Sequence, residues 1–256
     1  MAEIFLNDGR SIFYKTIAGS PANPCLVFLH EGLGCTAMWK DFPELLCRRT
    51  RCPGVVYDRP GYGRSSPDTA FRTIHYMHHA AFNDLQLLID KVIPGRPFVL
   101  AGHSDGASIS LISAAEKPSR LKGVISEAAH VFVESETLKG IEKADAAFEE
   151  GQFQGLYKHH GEKTERVFKS WAETWLSRWF WHWNIEYLLP SIECPLLVIQ
   201  GAEDSYGTRR QVEAIADQTS GSAESCLIPD CGHAPHAEQP EKTLEVMAAF
   251  IERIIS

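Results

Sequence analysis

The stretch Pro97-Phe98-Val99-Leu100-Ala101-Gly102-His103-Ser104-Asp105-Gly106-Ala107-Ser108 constrains the fold of this chain more than any other. An apolar, strand-forming run over 97–101 ends in Gly-x-Ser-x-Gly, and residues 105–116 then read as a helix. A reversal from strand to helix this tight demands very small residues two before and two after the serine. Gly102 and Gly106 meet that demand, and the small Ala107 and Ser108 continue it. The serine then stands at the C-terminal tip of its strand with Oγ exposed. The next helix aims its N-terminus there, and its positive dipole and free N–H groups favour developing negative charge.

The surroundings extend this local reading to the whole chain. Residues 25–29, 55–57, 97–101, 121–125, 195–200 and 224–228 are short apolar or β-prone runs. Their continuous rather than alternating apolar character suits strands buried on both faces. Between them the spacing predicts helices over 38–47, 72–92, 105–116, 208–219 and 240–255. In the last, Leu244, Met247, Phe250, Ile251 and Ile254 recur at helical spacing behind Pro240, which suits a first turn. Alternating strands and helices imply right-handed crossovers and a mostly parallel sheet flanked by helices, an α/β fold. The first twenty residues differ, because Asn7-Asp8-Gly9 between two β-rich runs signals an antiparallel hairpin at a sheet edge. Residues 133–190 carry no strand signal and are too long for an ordinary connection. They are expected to form a helical cap inserted late in a core made of 1–132 and 191–256.

Composition excludes several classes of function. Among 256 residues, 44% are hydrophobic and 26 are aromatic, so disorder is excluded. A net charge of −8 argues against general nucleic-acid binding, which needs a surplus of Lys and Arg. No apolar run approaches the ~20 residues that span a bilayer, and the first fifteen residues show no basic and apolar leader pattern. Acidic residues in the cap segment (Glu173, Glu186 and those in 142–150) argue against a membrane-surface role. The seven cysteines form no Cys-x-x-Cys pair, so reduced thiols in the cytoplasm are expected rather than disulfides or zinc.

A serine hydroxyl is a weak nucleophile and needs a base oriented by an acid, in the chain order Ser, Asp or Glu, His. Asp204 follows the run at 195–200, and His233 follows the run at 224–228 in Asp230-Cys231-Gly232-His233. Both fall at the strand C-termini, the edge where Ser104 stands and where open α/β sheets bind ligands.

With the elbow and these loops go His30-Glu31-Gly32-Leu33-Gly34, Asp58-Arg59-Pro60-Gly61-Tyr62-Gly63-Arg64-Ser65 and Gly232-His233-Ala234-Pro235-His236. In this order the motifs resemble those of the α/β-hydrolase fold superfamily over nearly the whole chain. The resemblance implies Ser104 as nucleophile, His233 as base, Asp204 as acid and the aromatic insertion as a cap. Glu203 and Glu127 are rival acids, and His236 is the rival base, although the family places its histidine directly after the glycine. An aspartate nucleophile, as in haloalkane dehalogenases and epoxide hydrolases, is disfavoured because the elbow carries Ser.

Acyl transfer also needs two donors for the oxyanion. One is expected to be the backbone N–H of Asp105, and aligning on His30 and Trp39 puts the other at Gly32, with Glu31 or Leu33 as neighbours. The family usually has His-Gly where this chain has His30-Glu31. If Glu31 points inward, it and Asp105 flank the oxyanion hole and oppose anionic substrates; otherwise it points to solvent. Trp171, Trp175, Trp179 and Trp183 recur every fourth residue and read as one helical stripe. Most of it is expected to pack the cap, while one or two rings among Trp175, Trp179 and Trp183, with Glu31 and Leu33, contact substrate. His75, His78 and His79, and the pair His159-His160, lack the acidic partner of a His-Glu-x-x-His site and read as helix surface. His103 is expected to pack beneath the sheet tip.

The sequence thus predicts a serine hydrolase without cofactor or metal, cleaving an ester or related acyl bond of a small, neutral, hydrophobic molecule. Its rivals are a C–C bond hydrolase or lyase using the same triad, and a ligand-binding receptor that retains it. Transfer to an alcohol and the oligomeric state are left open.

Overall fold

The computed structural model describes residues 2–6 and 8–255. Eight strands form one sheet: β1 (Ala2–Phe5), β2 (Ser11–Ile17), β3 (Cys25–Leu29), β4 (Gly54–Tyr57), β5 (Phe98–His103), β6 (Leu121–Glu127), β7 (Leu196–Gly201) and β8 (Ala223–Ile228). Their spatial order is β1-β2-β4-β3-β5-β6-β7-β8. Pairing is parallel from β4 through β3 to β8, and antiparallel for β1 with β2 and β2 with β4. The expected edge hairpin is present. Its Asn7 lies outside the described residues, while Gly9 turns at φ +86° and donates to the Leu6 carbonyl over 3.1 Å.

The central strands divide their side chains between two cores, as the two-residue period of a strand dictates. Val27 and Leu29 enter one cluster with Leu85, Ile89, Ile109, Ile112 and Ile215, from helices on that face. Leu26 and Phe28 enter the other with Phe42, Leu46, Met247, Phe250 and Ile251. The latter come from helices Phe42–Thr50 and Pro240–Ile255. A sheet covered on both faces leaves only its strand ends free to build a site.

Two predicted helices shift. The first begins at Phe42 rather than at 38, with Pro43 in its opening turn, where a missing N–H costs nothing. The second begins at Tyr76 and is π-helical over Ala80–Leu85.

Between β6 and β7 the chain is helical: Ser135–Glu149, Tyr157–His160, Thr164–Leu176 and a 3₁₀ segment Glu186–Ser191. A bridge between Phe132 and Asn184 and the bond from Ile185 N–H to the Val131 carbonyl (2.7 Å) bring its two ends together. The tryptophans do not form one helical stripe. The helix carrying Trp171 and Trp175 stops at Leu176, because Ser177 is extended (ψ 136°), and Trp179 and Trp183 lie beyond it. Among the described residues no helix is long and apolar enough to cross a membrane.

Candidate active site

The elbow is as tight as its residues require. A Cβ on Gly102 would lie 2.2 Å from the Gly106 carbonyl oxygen, and one on Gly106 would lie 2.1 Å from that of Leu29. Ser104 itself takes φ +53° with ψ −118°, a positive-φ conformation costly for a residue with a Cβ. It stands between β5 and the helix Asp105–Ala115, whose first N–H groups have no acceptor within the helix.

His233 Nε2 is 3.0 Å from Ser104 Oγ. Its Nδ1 is 2.9 Å from both carboxylate oxygens of Asp204, which therefore accept from Nδ1–H and leave Nε2 free to take the serine proton. Burial opposes ionisation of Asp204, but the facing His233 and the backbone N–H of Tyr206 (2.8 Å) hold its carboxyl below the usual range. The rival acids stand elsewhere. Glu127 accepts from His236 N–H and Nδ1, both at 2.8 Å, and Glu203 is exposed. His236 packs against Trp39 with the rings tilted and their centroids 4.4 Å apart, so it lies behind the site.

The loop after β3 departs from the alternatives drawn for Glu31. Its carboxylate turns neither to bulk solvent nor toward Asp105, but back over Gly34 and to within 3.6 Å of His103 Nδ1, an ion pair rather than a hydrogen bond. Burial opposes charge on His103, yet Glu31 and Glu127 nearby push it up to about 9, so it is cationic at neutral pH. His30 orders the same loop. Its Nδ1–H donates to the Glu31 carbonyl (2.8 Å) and its Nε2 accepts from Arg59 N–H (3.0 Å). Asp105 is compensated as well. Its Oδ2 accepts from Tyr76 Oη at 3.2 Å and pairs with Arg59 at 3.5 Å, both groups buried. The two carboxylates that would have opposed an anion are thus separately neutralised.

Gly32 packs under the helical segment. A Cβ there would meet Trp171 Cδ1 at 2.5 Å and lie 3.5 Å from the Asp105 carboxyl carbon. Leu33 is half-buried, and its carbonyl accepts from His160. Trp175 and Trp183 are buried against each other and Phe180, and Trp175 meets His130 edge-on at 5.2 Å. Trp179 is 47% exposed, so its ring is directed outward.

Several residues gained roles that periodicity and motif could not assign. His160 is buried rather than on a surface; it accepts from Gly63 N–H (3.0 Å) and donates to the Leu33 carbonyl (2.9 Å). It thereby ties the helical segment to two loops of the site. His130 lies 6.0 Å from His233 ring to ring and holds the Tyr206 carbonyl at 3.0 Å. Its only sequence signal is its place just past the tip of β6.

The family model for the alpha/beta hydrolase family matches residues 26–246, most of the chain. The chain belongs to that family. The chain is 32% identical over 163 residues to a 2-succinyl-6-hydroxy-2,4-cyclohexadiene-1-carboxylate synthase from Enterobacter sp. (strain 638), a match covering 62% of the chain and 56% of the synthase. The matched region is thus just over half of that relative's length. The chain is also 26% identical over 209 residues to the human serine hydrolase BPHL, covering 77% of the chain and 69% of BPHL. Among solved structures, an esterase from Thermogutta terrifontis superposes over 100% of both chains with a TM-score of 0.75 at 21% identity, a likeness of fold.

Proposed function

We propose that this hydrolase is a serine enzyme that cleaves a carboxylic ester or related acyl bond through an acyl-enzyme on Ser104. One observation carries the reading: the unbroken line from Asp204 through His233 to Ser104 Oγ, with contacts of 2.9 and 3.0 Å. Ser104 Oγ attacks the carbonyl carbon as His233 Nε2 takes its proton, and Asp204 stabilises the imidazolium that forms. The tetrahedral oxyanion is received by the backbone N–H of Asp105, first in its helix, and by that of Gly32. As the tetrahedral species collapses, His233 protonates the leaving alcohol. Water, deprotonated by His233, then attacks the acyl carbon, and the proton returns to Ser104 as the acid departs. The helical segment over 133–190 acts as a cap, with Trp171 closing over Gly32 and Trp175 walling the base side. Seven unpaired cysteines, most of them buried, agree with a reducing cytoplasm.

The test is hydrolysis of short p-nitrophenyl esters by the native chain and by Ser104→Ala. Turnover that survives the substitution would sink the proposal. A second reading is favoured by the likeness to the synthase: the same three residues could act at a C–C bond. It predicts Ser104-dependent turnover of vinylogous diketones with simple esters left nearly untouched.

A further inference from the structure

A cavity of about 270 Å³ is bounded by the 59–73 loop, the helical stretch over 76–92 and the helix Thr164–Leu176. The acyl-transfer steps make no use of it. Its walls are rich in cations, with Arg59, Arg72, Lys163 and Arg166 all contributing. Arg10 also lines it but is committed to Asp8 and Asp68, at 2.8 and 3.1 Å.

Of the other four, only Arg59 has a paired carboxylate. Arg59 has its 3.5 Å contact with Asp105. Lys163 Nζ donates only to the carbonyls of Tyr62 and Ser65, and Arg166 Nε to that of Asp68. Arg72 donates to the Tyr62 hydroxyl and lies over the Tyr76 ring. Among the described residues, Arg72, Lys163 and Arg166 form no ion pair with a carboxylate. The remaining acid on the wall is Asp84, which burial pushes up to about 6 and which faces His79 at 3.9 Å.

Two donors are also left over. Arg59 Nε and Arg72 Nη1 are buried without an acceptor, and Arg59 is only 4% exposed. A buried donor without a partner is costly. Guanidinium groups with unused in-plane donors are the set that carboxylates and phosphates take up. The cavity is also close to the chemistry. Arg59 and Tyr76 line it and at the same time hold the side chain of Asp105, the residue after Ser104.

We propose that this cavity binds an oxyanionic group, a carboxylate or phosphate, carried by the substrate of the adjoining serine site. The inference rests on the hydrolase reading for the word substrate, and on the cavity alone for the anion. It replaces the sequence-based expectation of a neutral substrate, whose two supporting carboxylates, Glu31 and Asp105, are paired elsewhere.

The test compares monomethyl adipate with methyl hexanoate, esters of equal chain length that differ in one carboxylate. A kcat/KM ratio favouring the anionic ester by tenfold or more is expected, falling toward one in Arg72→Met and in Arg166→Gln. Arg166 is exposed, so its variant separates recognition from folding. In parallel, free adipate and inorganic phosphate are titrated calorimetrically into Ser104→Ala protein. Saturable binding weakened tenfold by Arg72→Met is expected, and whichever anion binds names the group. If neither ester is hydrolysed but an anion binds and depends on Arg72, the pocket stands while the hydrolase reading falls. Binding of neither anion, or binding indifferent to Arg72→Met, overturns the pocket. Anion binding without preference for the anionic ester overturns its assignment to substrate.

Discussion

His103 donates from Nε2 to the backbone carbonyl of His233 over 2.8 Å, so the residue before Ser104 carries the main chain of its hydrogen-bonding partner. On its other side the ring pairs with Glu31, and with Glu127 and His236 it forms a buried group whose nitrogen and carboxylate atoms lie within 4.8 Å of one another. Ser104 and His233 are 129 residues apart, yet the neighbour of one anchors the other.

Replacing His103 by Leu is expected to lower kcat by about 10- to 100-fold with little change in KM, since small displacements of a catalytic group cost rates of that order. His103→Gln, which restores an N–H donor, should recover part of the loss. Steady-state kinetics on the two variants check this, and equal losses of kcat and stability in both would mean a merely structural role.

Ser104→Ala should reduce ester turnover by about 10,000-fold or more, and Asp204→Asn by a comparable factor because an amide N–H facing Nδ1 holds the imidazole in the wrong tautomer. Thermal unfolding of Ser104→Ala should stay close to that of the native chain, or rise, because alanine drops the buried hydroxyl. Single-turnover measurements distinguish slow chemistry from slow product release.

The pH profile of stability should have two limbs. The folded-state pKa of His103 is raised to about 9 from an ordinary value near 6.5. Its contribution is therefore complete below about pH 6.5 and is lost as pH rises through about 9. Burial lowers His30, His130 and His160, so their contribution is present above about pH 6.5 and lost as pH falls below it. Melting temperature against pH reads both limbs, and Glu31→Gln should flatten the alkaline one, since it removes the nearest carboxylate from His103.

Gly32→Ala should depress activity by pushing its new methyl into the Trp171 indole, 2.5 Å away. Trp171→Leu in the same chain should relieve the clash and restore part of kcat. In contrast, Gly102→Ala sets a Cβ 2.2 Å from a backbone carbonyl, which cannot move aside as a side chain can. A loss of about 1–3 kcal/mol or more is expected there, and chemical denaturation measures it.

His160→Ala should loosen the helical segment. It leaves the Gly63 N–H and the Leu33 carbonyl without their partner, at a cost of about 1–3 kcal/mol per buried group. Faster proteolysis within 133–190, with β5 and the elbow still protected, is the expected signature.

Local physics was enough to read the sheet and the elbow from the sequence. Buried strands need unbroken apolar runs, and a strand-to-helix reversal around Ser104 needs glycines where Gly102 and Gly106 stand. These requirements act over a few residues, so they are written in consecutive letters. Asp204 and His233 could be nominated for the same reason, because each directly follows such a run. The tryptophan stripe misled because a four-residue period says nothing about where a helix stops, and Ser177 ends it. The pairing of Glu31 with His103, the burial of His160 between two loops and the gathering of Arg59, Arg72, Lys163 and Arg166 around one cavity were decided by tertiary structure alone. Their members lie tens of residues apart or more, and a charge in the sequence does not reveal which distant charge will neutralise it. Whether such a group is buried, paired or left with unused donors depends on how the sheet brings those segments together in space.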